Sequence, residues 1–218
     1  MSGADFSVLD FSVLDVVAER YSAAPQLTAR LRIEESSGER IHALVLQCQV
    51  RIEPQRRSYD AAEEERLRGL FGERSRWGDT LRPFLWMQCN TTVQGFTGAT
   101  DVDLALPCTY DFDVTGARYL HALGEGPVPL TLLFSGTVFT RGSAGFGVRQ
   151  IPWDCEARHP MPVAVWREMI GAHFPNTGWI RLDHDVITEF ARFRARHGLI
   201  SWEETVRTLL AETGEVVP

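Results

Sequence analysis

The stretch Leu27-Thr28-Ala29-Arg30-Leu31-Arg32-Ile33-Glu34 alternates strictly, with Leu27, Ala29, Leu31 and Ile33 apolar and Thr28, Arg30, Arg32 and Glu34 polar. Ser36-Ser37-Gly38 has turn chemistry. Beyond it, Leu44, Leu46, Cys48, Val50 and Ile52 fall on one side of a second run, with Gln47, Gln49, Arg51 and Glu53 on the other. Side chains of a strand point to opposite faces with period two, so both runs read as strands with one buried and one wetted face. The turn between them predicts an antiparallel hairpin.

Working outward, the chain begins with a direct repeat, Asp5-Phe6-Ser7-Val8-Leu9 followed by Asp10-Phe11-Ser12-Val13-Leu14. Two short copies do not make a solenoid; one copy is expected to open the first strand and the other to extend it or be disordered. Asp60-Ala61-Ala62-Glu63 is a capping-box signature, with Leu67, Leu70 and Phe71 at helical spacing and Gly72 as the stop. Residues 72–83 read as a loop. Strand patterns resume over Phe84–Val93 and Val102–Phe112, and a short helix is expected over Thr115–Leu123. Two further strands, Leu130–Arg141 and Phe146–Ala157, flank the turn Gly142-Ser143-Ala144-Gly145. After Pro160 the period changes to that of helices: Val163–Ala172, then a stripe of Val186, Ile187, Phe190 and Phe193 behind the cap Asp183. A last helix opens at the box Ser201-Trp202-Glu203-Glu204. About seven strands followed by helices predict an α+β fold, an antiparallel β-sandwich or bent sheet. Residues 1–160 are expected to form the β-rich core, and residues 161–218 a helical segment packed on it within one domain.

With 218 residues the chain suits one large domain, and 44% hydrophobic with 23% charged residues is ordinary globular composition. The net charge of −7 argues against non-specific nucleic-acid binding. All 22 basic residues are Arg, which excludes lysine Schiff-base chemistry and the P-loop lysine. No basic residue precedes Arg20 and no apolar run is long enough to span a bilayer, so neither a signal peptide nor membrane insertion is expected and the chain reads as cytoplasmic.

Residues that could carry chemistry have plainer structural roles. Cys48, Cys89, Cys108 and Cys155 form no C-x-x-C pair; Cys48 and Cys108 fall on apolar strand faces, where packing explains them. Cys155 and His159 would share a strand face and could be two legs of a metal site, with Cys89 or His173 as the missing ones, but the spacing does not support it. Asp183-His184-Asp185 is ligand-rich, yet adjacent helical positions diverge. Asp101, Asp103, Asp111 and Asp113 read as a solvated strand face. The Gly142–Gly147 run lies between strands, not before a helix, so it is a turn and not a phosphate cradle. No catalytic, metal or cofactor residue is therefore assigned. Eight arginines between Arg51 and Arg82, interleaved with seven carboxylates and Trp77, read as an ion-pair surface or a partner interface.

Several stretches taken together carry a resemblance: Arg51-Ile52-Glu53-Pro54-Gln55-Arg56-Arg57, Arg76-Trp77-Gly78-Asp79-Thr80-Leu81-Arg82-Pro83-Phe84, Pro107-Cys108-Thr109-Tyr110-Asp111-Phe112, Leu133-Phe134-Ser135-Gly136-Thr137-Val138-Phe139 and Pro162-Val163-Ala164-Val165-Trp166-Arg167-Glu168-Met169. The chain resembles, from about residue 20 onward, an uncharacterised bacterial family, mainly actinobacterial, encoded near uptake [NiFe]-hydrogenase genes. The resemblance implies a non-catalytic accessory, scaffold or assembly protein with hydrogenase subunits as partners, and transfers no catalytic residue. The alternatives are a small hydrolase drawing on Asp79, His121, His159, His173 or Asp154, and a metallochaperone for nickel or iron. Self-association through strand edges or the C-terminal helices is compatible with either.

Overall fold

The computed structural model describes residues 9–109, 114–142, 145–175 and 180–214. Eight strands run β1 (Leu9–Ala18), β2 (Gln26–Glu35), β3 (Ile41–Ile52), β4 (Phe84–Phe96), β5 (Ala99–Pro107), β6 (Pro127–Gly142), β7 (Gly145–Gln150) and β8 (Glu156–Pro162). The helices are α1 (Ala61–Phe71), α2 (Trp77–Thr80), α3 (Thr115–Ala122), α4 (Val163–His173), α5 (His184–Arg196) and α6 (Trp202–Glu212). The first copy of the N-terminal repeat, apart from Leu9, lies outside the described residues, as do Tyr110–Asp113; the second copy forms the start of β1. The chain divides into two compact units, residues 1–179 and 180–218. The first carries both sheets and α1–α4. In the second, α5 and α6 pack on each other, with the Arg194 guanidinium 4.2 Å above the Trp202 ring.

The fold is α+β, with two antiparallel sheets. One has the order β1-β2-β5, and the other β4-β3-β6-β7 with β8 also paired to β6. Alternation defines their inner faces: Leu27, Leu31 and Ile33 of β2, and Leu44, Leu46 and Ile52 of β3, have no exposed surface. Burying each such side chain contributes roughly 1.5–3 kcal/mol. Phe11 of β1 stacks on Phe134 of β6 with centroids 4.4 Å apart, so the two inner faces meet in one core.

The hairpin expected between β2 and β3 does not form. β2 pairs with β1 and β5, β3 pairs with β4 and β6, and residues 36–40 carry the chain from one sheet to the other. The β4–β5 connection makes the same crossing, and the two arches are joined by the Glu35 amide donating to the Gly98 carbonyl at 2.6 Å. Alternation tells which face of a strand is dry but not which strand lies beside it. Both β2 and β3 have two good neighbours, and pairing them with each other would leave their apolar faces on one side of a single sheet.

The segment expected as a loop, 72–83, contains a 3-10 turn and α2, which tuck Trp77 into the core at 5% exposure. The strand expected over Phe146–Ala157 is broken in two. β7 pairs with residues 137–142 of β6 and β8 with residues 127–133, while residues 151–155 loop out between them. Asp183 stands at the N-cap of α5 but its side chain makes no cap bond; Ser201 does cap α6, while Glu204 reaches the Ile200 amide instead of closing the box. Among the described residues, no helix is long and apolar enough to cross a membrane.

Candidate functional site

Two concave surfaces of the first unit bring together polar and aromatic side chains. The first is organised by the start of α1. The Asp60 carboxylate accepts the Glu63 amide at 2.8 Å and Glu63 accepts the Asp60 amide at 3.1 Å, so the capping box read from sequence forms. The other Glu63 oxygen accepts the Gly124 amide at 2.6 Å and Arg57 Nη2 at 2.5 Å. Arg57 also donates to the carbonyls of Glu125 and Pro127, which ties α1 to the turn entering β6. The two side chains are 6% and 4% exposed. Burial works against the charged Glu63, but the two amides and the guanidinium outweigh it and hold its carboxyl below its usual value.

Beside this node, Tyr59 and Trp77 meet edge to face at 5.3 Å, and the Tyr59 hydroxyl shares a 2.8 Å bond with that of Tyr119. Arg74 lies 4.7 Å above the Trp77 ring. Arg57, Tyr59, Arg74, Trp77 and Arg82 line a cleft of about 440 Å³.

The second surface follows from the looped-out residues 151–155. Backbone bonds hold both ends of the loop against β6, from the Ile151 amide to the Gly136 carbonyl and from the Phe134 amide to the Cys155 carbonyl. The loop projects Trp153, 94% exposed, beside a groove of about 730 Å³ whose apolar side chains include Leu9, Phe11, Ile151 and Pro152. Asp10, Asp154 and Glu156 also line this groove, Glu156 paired at 2.9 Å with Arg158 outside the lining; among the described residues no cation lines it.

The residues singled out from sequence are distributed over separate surfaces. Cys48 faces Cys89 across β3 and β4 and is 1% exposed; the bond from Cys89 and burial push the Cys48 thiol up. Burial pushes Cys108 up to about 12 and also raises Cys155. All four cysteines are free thiols. Cys155 precedes β8, whose inward positions are Ala157, His159 and Met161. The four-residue interval along a strand is about 13 Å, too long for two ligands of one ion.

Among the described residues, no group of three or more His, Cys, Asp or Glu is placed to hold a metal. His173 is held between the carbonyls of Met169 and Ser22. Asp101 is bound by both nitrogens of Arg32 across β2 and β5, and Asp103 lies 4.0 Å from Arg30; Asp111 and Asp113 are outside the described residues. The strand face of aspartates is thus, where described, an ion-pair face. Gly142 pairs with Gly145 in the β6–β7 hairpin. Asp79 lies in α2, and Asp154 belongs to the Trp153 groove.

His121 lies edge-on to Trp166 at 4.6 Å, and burial lowers its pKa to about 4. Burial likewise lowers His159, against opposing contributions from Asp15 and a bond to the Val13 backbone. Between the ordinary value of 6.5 and about 4, the unfolded chain binds a proton at His121 that the folded chain refuses. Stability therefore falls as pH drops through that window and levels off below it. Urea midpoints at about pH 7 and about pH 5 are expected to differ less in His121→Gln than in the parent chain; an equal difference rules His121 out as a source.

A two-sheet α+β protein with an arginine-lined cleft and an acidic, tryptophan-edged groove is the class these features define. The chain belongs to a family of unknown function, DUF6084, whose model matches residues 6–218. No curated protein matches it. Among solved structures it is similar to a β-glucosidase from Kluyveromyces marxianus (8% identity, 73% of this chain and 15% of that chain, TM-score 0.27). It is also similar to β-glucosidase 3B from Thermotoga neapolitana (14% identity, 73% and 18%, TM-score 0.27). A third is AggA, the major subunit of aggregative adherence fimbriae type I from Escherichia coli (8% identity, 71% and 93%, TM-score 0.25). The chain spans less than a fifth of the length of these β-glucosidases, and likenesses this faint carry no argument about activity.

Proposed function

We propose that the chain is a non-catalytic accessory or assembly protein that docks a partner protein through the Trp153 groove. The observation that carries this reading is the tryptophan itself, 94% exposed beside an apolar groove whose charged lining, among the described residues, is Asp10, Asp154 and the Arg158-paired Glu156. A tryptophan beside an apolar groove has a large area to bury on docking, and large aromatics at the centre of an interface are the side chains that dominate binding energy. Charge complementarity selects the occupant: a segment presenting an aliphatic or aromatic side chain flanked by arginine or lysine. The resemblance to actinobacterial proteins encoded near uptake [NiFe]-hydrogenase genes makes a hydrogenase subunit or its assembly intermediate the partner to test, in the cytoplasm.

The experiment is co-purification of hydrogenase subunits with the tagged full chain from its host. Trp153→Ala is expected to weaken the interaction by about 30-fold or more, the scale of an interface hot spot. The same substitution should leave unfolding within about 0.5 kcal/mol of the parent, as for an exposed side chain. Recovery of the subunits undiminished by Trp153→Ala sinks the groove. A deletion strain with normal hydrogenase assembly and activity sinks the hydrogenase assignment.

A further inference from the structure

The cleft beside α1 is a separate surface with the opposite charge. Three guanidinium groups, Arg57, Arg74 and Arg82, line it and, among the described residues, no carboxylate does, in a chain whose net charge is −7. The three are not equivalent. Arg57 forms part of the wall, 6% exposed, with its charge opposed by Glu63 and its buried Nε lacking a hydrogen-bond partner among the described residues. Arg74 is exposed and paired with Glu64 at 2.6 Å, a surface ion pair that exchanges partners readily. Arg82 has no carboxylate partner among the described residues; its Nε donates to the Asp79 carbonyl at 3.1 Å, and its remaining N–H groups are unspent. Tyr59, Trp77, Leu81 and Pro83 supply apolar wall, which strengthens electrostatic attraction inside the cleft. At about 440 Å³ the cleft lies in the range of pockets that hold small molecules.

We infer that this cleft binds a phosphorylated small molecule, with pyrophosphate as its minimal form. A carboxylate offers two oxygens, enough for one arginine fork. A phosphate group offers three and pyrophosphate more, so that Arg82 and Arg74 can be engaged together while Arg57 contributes a fixed positive wall. The site is distinct from the Trp153 groove, and its occupation does not depend on the docking reading.

The test titrates the full chain with pyrophosphate at constant ionic strength and follows the indole N–H resonance of Trp77, which donates to the Gly72 carbonyl at the edge of the cleft. Citrate and a phosphoserine peptide are titrated in parallel. A saturable shift with pyrophosphate is expected, with citrate and the peptide each about tenfold weaker or more. Arg82→Gln is expected to weaken pyrophosphate about tenfold; because Arg82 is exposed and makes one carbonyl bond, the variant should fold, as its thermal melt will report. If it does not, Arg74→Gln serves, with the same expected loss. The inference is overturned by an absent or unsaturable shift, by citrate or the phosphopeptide binding as well as pyrophosphate, or by a folded arginine variant binding like the parent.

Discussion

Gly136→Ala is expected to leave little or no folded protein. Gly136 stands in the middle of β6 with φ +139°, a backbone conformation that L side chains rarely adopt, and a Cβ there would collide with the Val45 carbonyl of β3. The strained dihedral costs about 1–3 kcal/mol. The collision adds about 1–3 kcal/mol or more, because its partner is backbone and cannot rotate away. Together, at about 2–6 kcal/mol or more, they reach the lower end of the total stability of an ordinary domain, roughly 5–15 kcal/mol. The cause is topological. β6 hands over from β8 to β7 around this residue, and its carbonyl accepts the Ile151 amide that starts the Trp153 loop. Gly38→Ala is the matched control, since Gly38 also has positive φ, at +77°, but open space around the new Cβ. Urea unfolding of the two variants checks this: Gly38→Ala should remain cooperative and lose about 1–3 kcal/mol for the dihedral alone. A well-folded Gly136→Ala of similar stability would falsify the close β3–β6 approach.

The second large effect is at Arg57 and Glu63. Removing one member of a buried, hydrogen-bonded ion pair leaves the other charged and unpaired, and Arg57→Ala is expected to cost about 3–5 kcal/mol. Glu63→Ala should cost as much, since it also strands the Asp60 and Gly124 amides. Glu63→Gln keeps an acceptor for those amides and isolates the loss of charge. The pH dependence has a definite sign. The folded Glu63 carboxyl is held below its ordinary value of 4.5, so its contribution is fully present above that value and is lost as pH falls through the lower, folded one. Acid unfolding monitored by circular dichroism should therefore lose part of its steepness below about pH 4.5 in Glu63→Gln. An unchanged acid limb, or an Arg57→Ala variant as stable as the parent, would show that the pair carries no stability.

How much of this was legible in the sequence depends on the range of the interaction. The inner faces of β2 and β3, the α1 capping box and the Gly72 stop rest on neighbours a few residues apart, and the structure has them where the spacing places them. The alternation of Phe146–Ala157 suggests one strand, but Pro152 and Asp154 are poor strand residues and mark the break. The arginine-rich segment was legible as charge-balanced surface, but its concavity was not: the fold sets Arg57 and Trp77 beside each other by closing α1 and α2 onto the turn before β6.

The amino-acid order by itself determined the α+β class, the dry faces of β2, β3 and β5 and the capping box of α1, because these follow from a side-chain period of two and from bonds within one turn. Tertiary structure alone decided that β2 and β3 lie in opposite sheets, that residues 151–155 leave the ladder and bare Trp153, and that three arginines share one cleft. Those outcomes depend on which strand neighbours which, a choice made by the packing of whole faces against each other and not by any local run of residues.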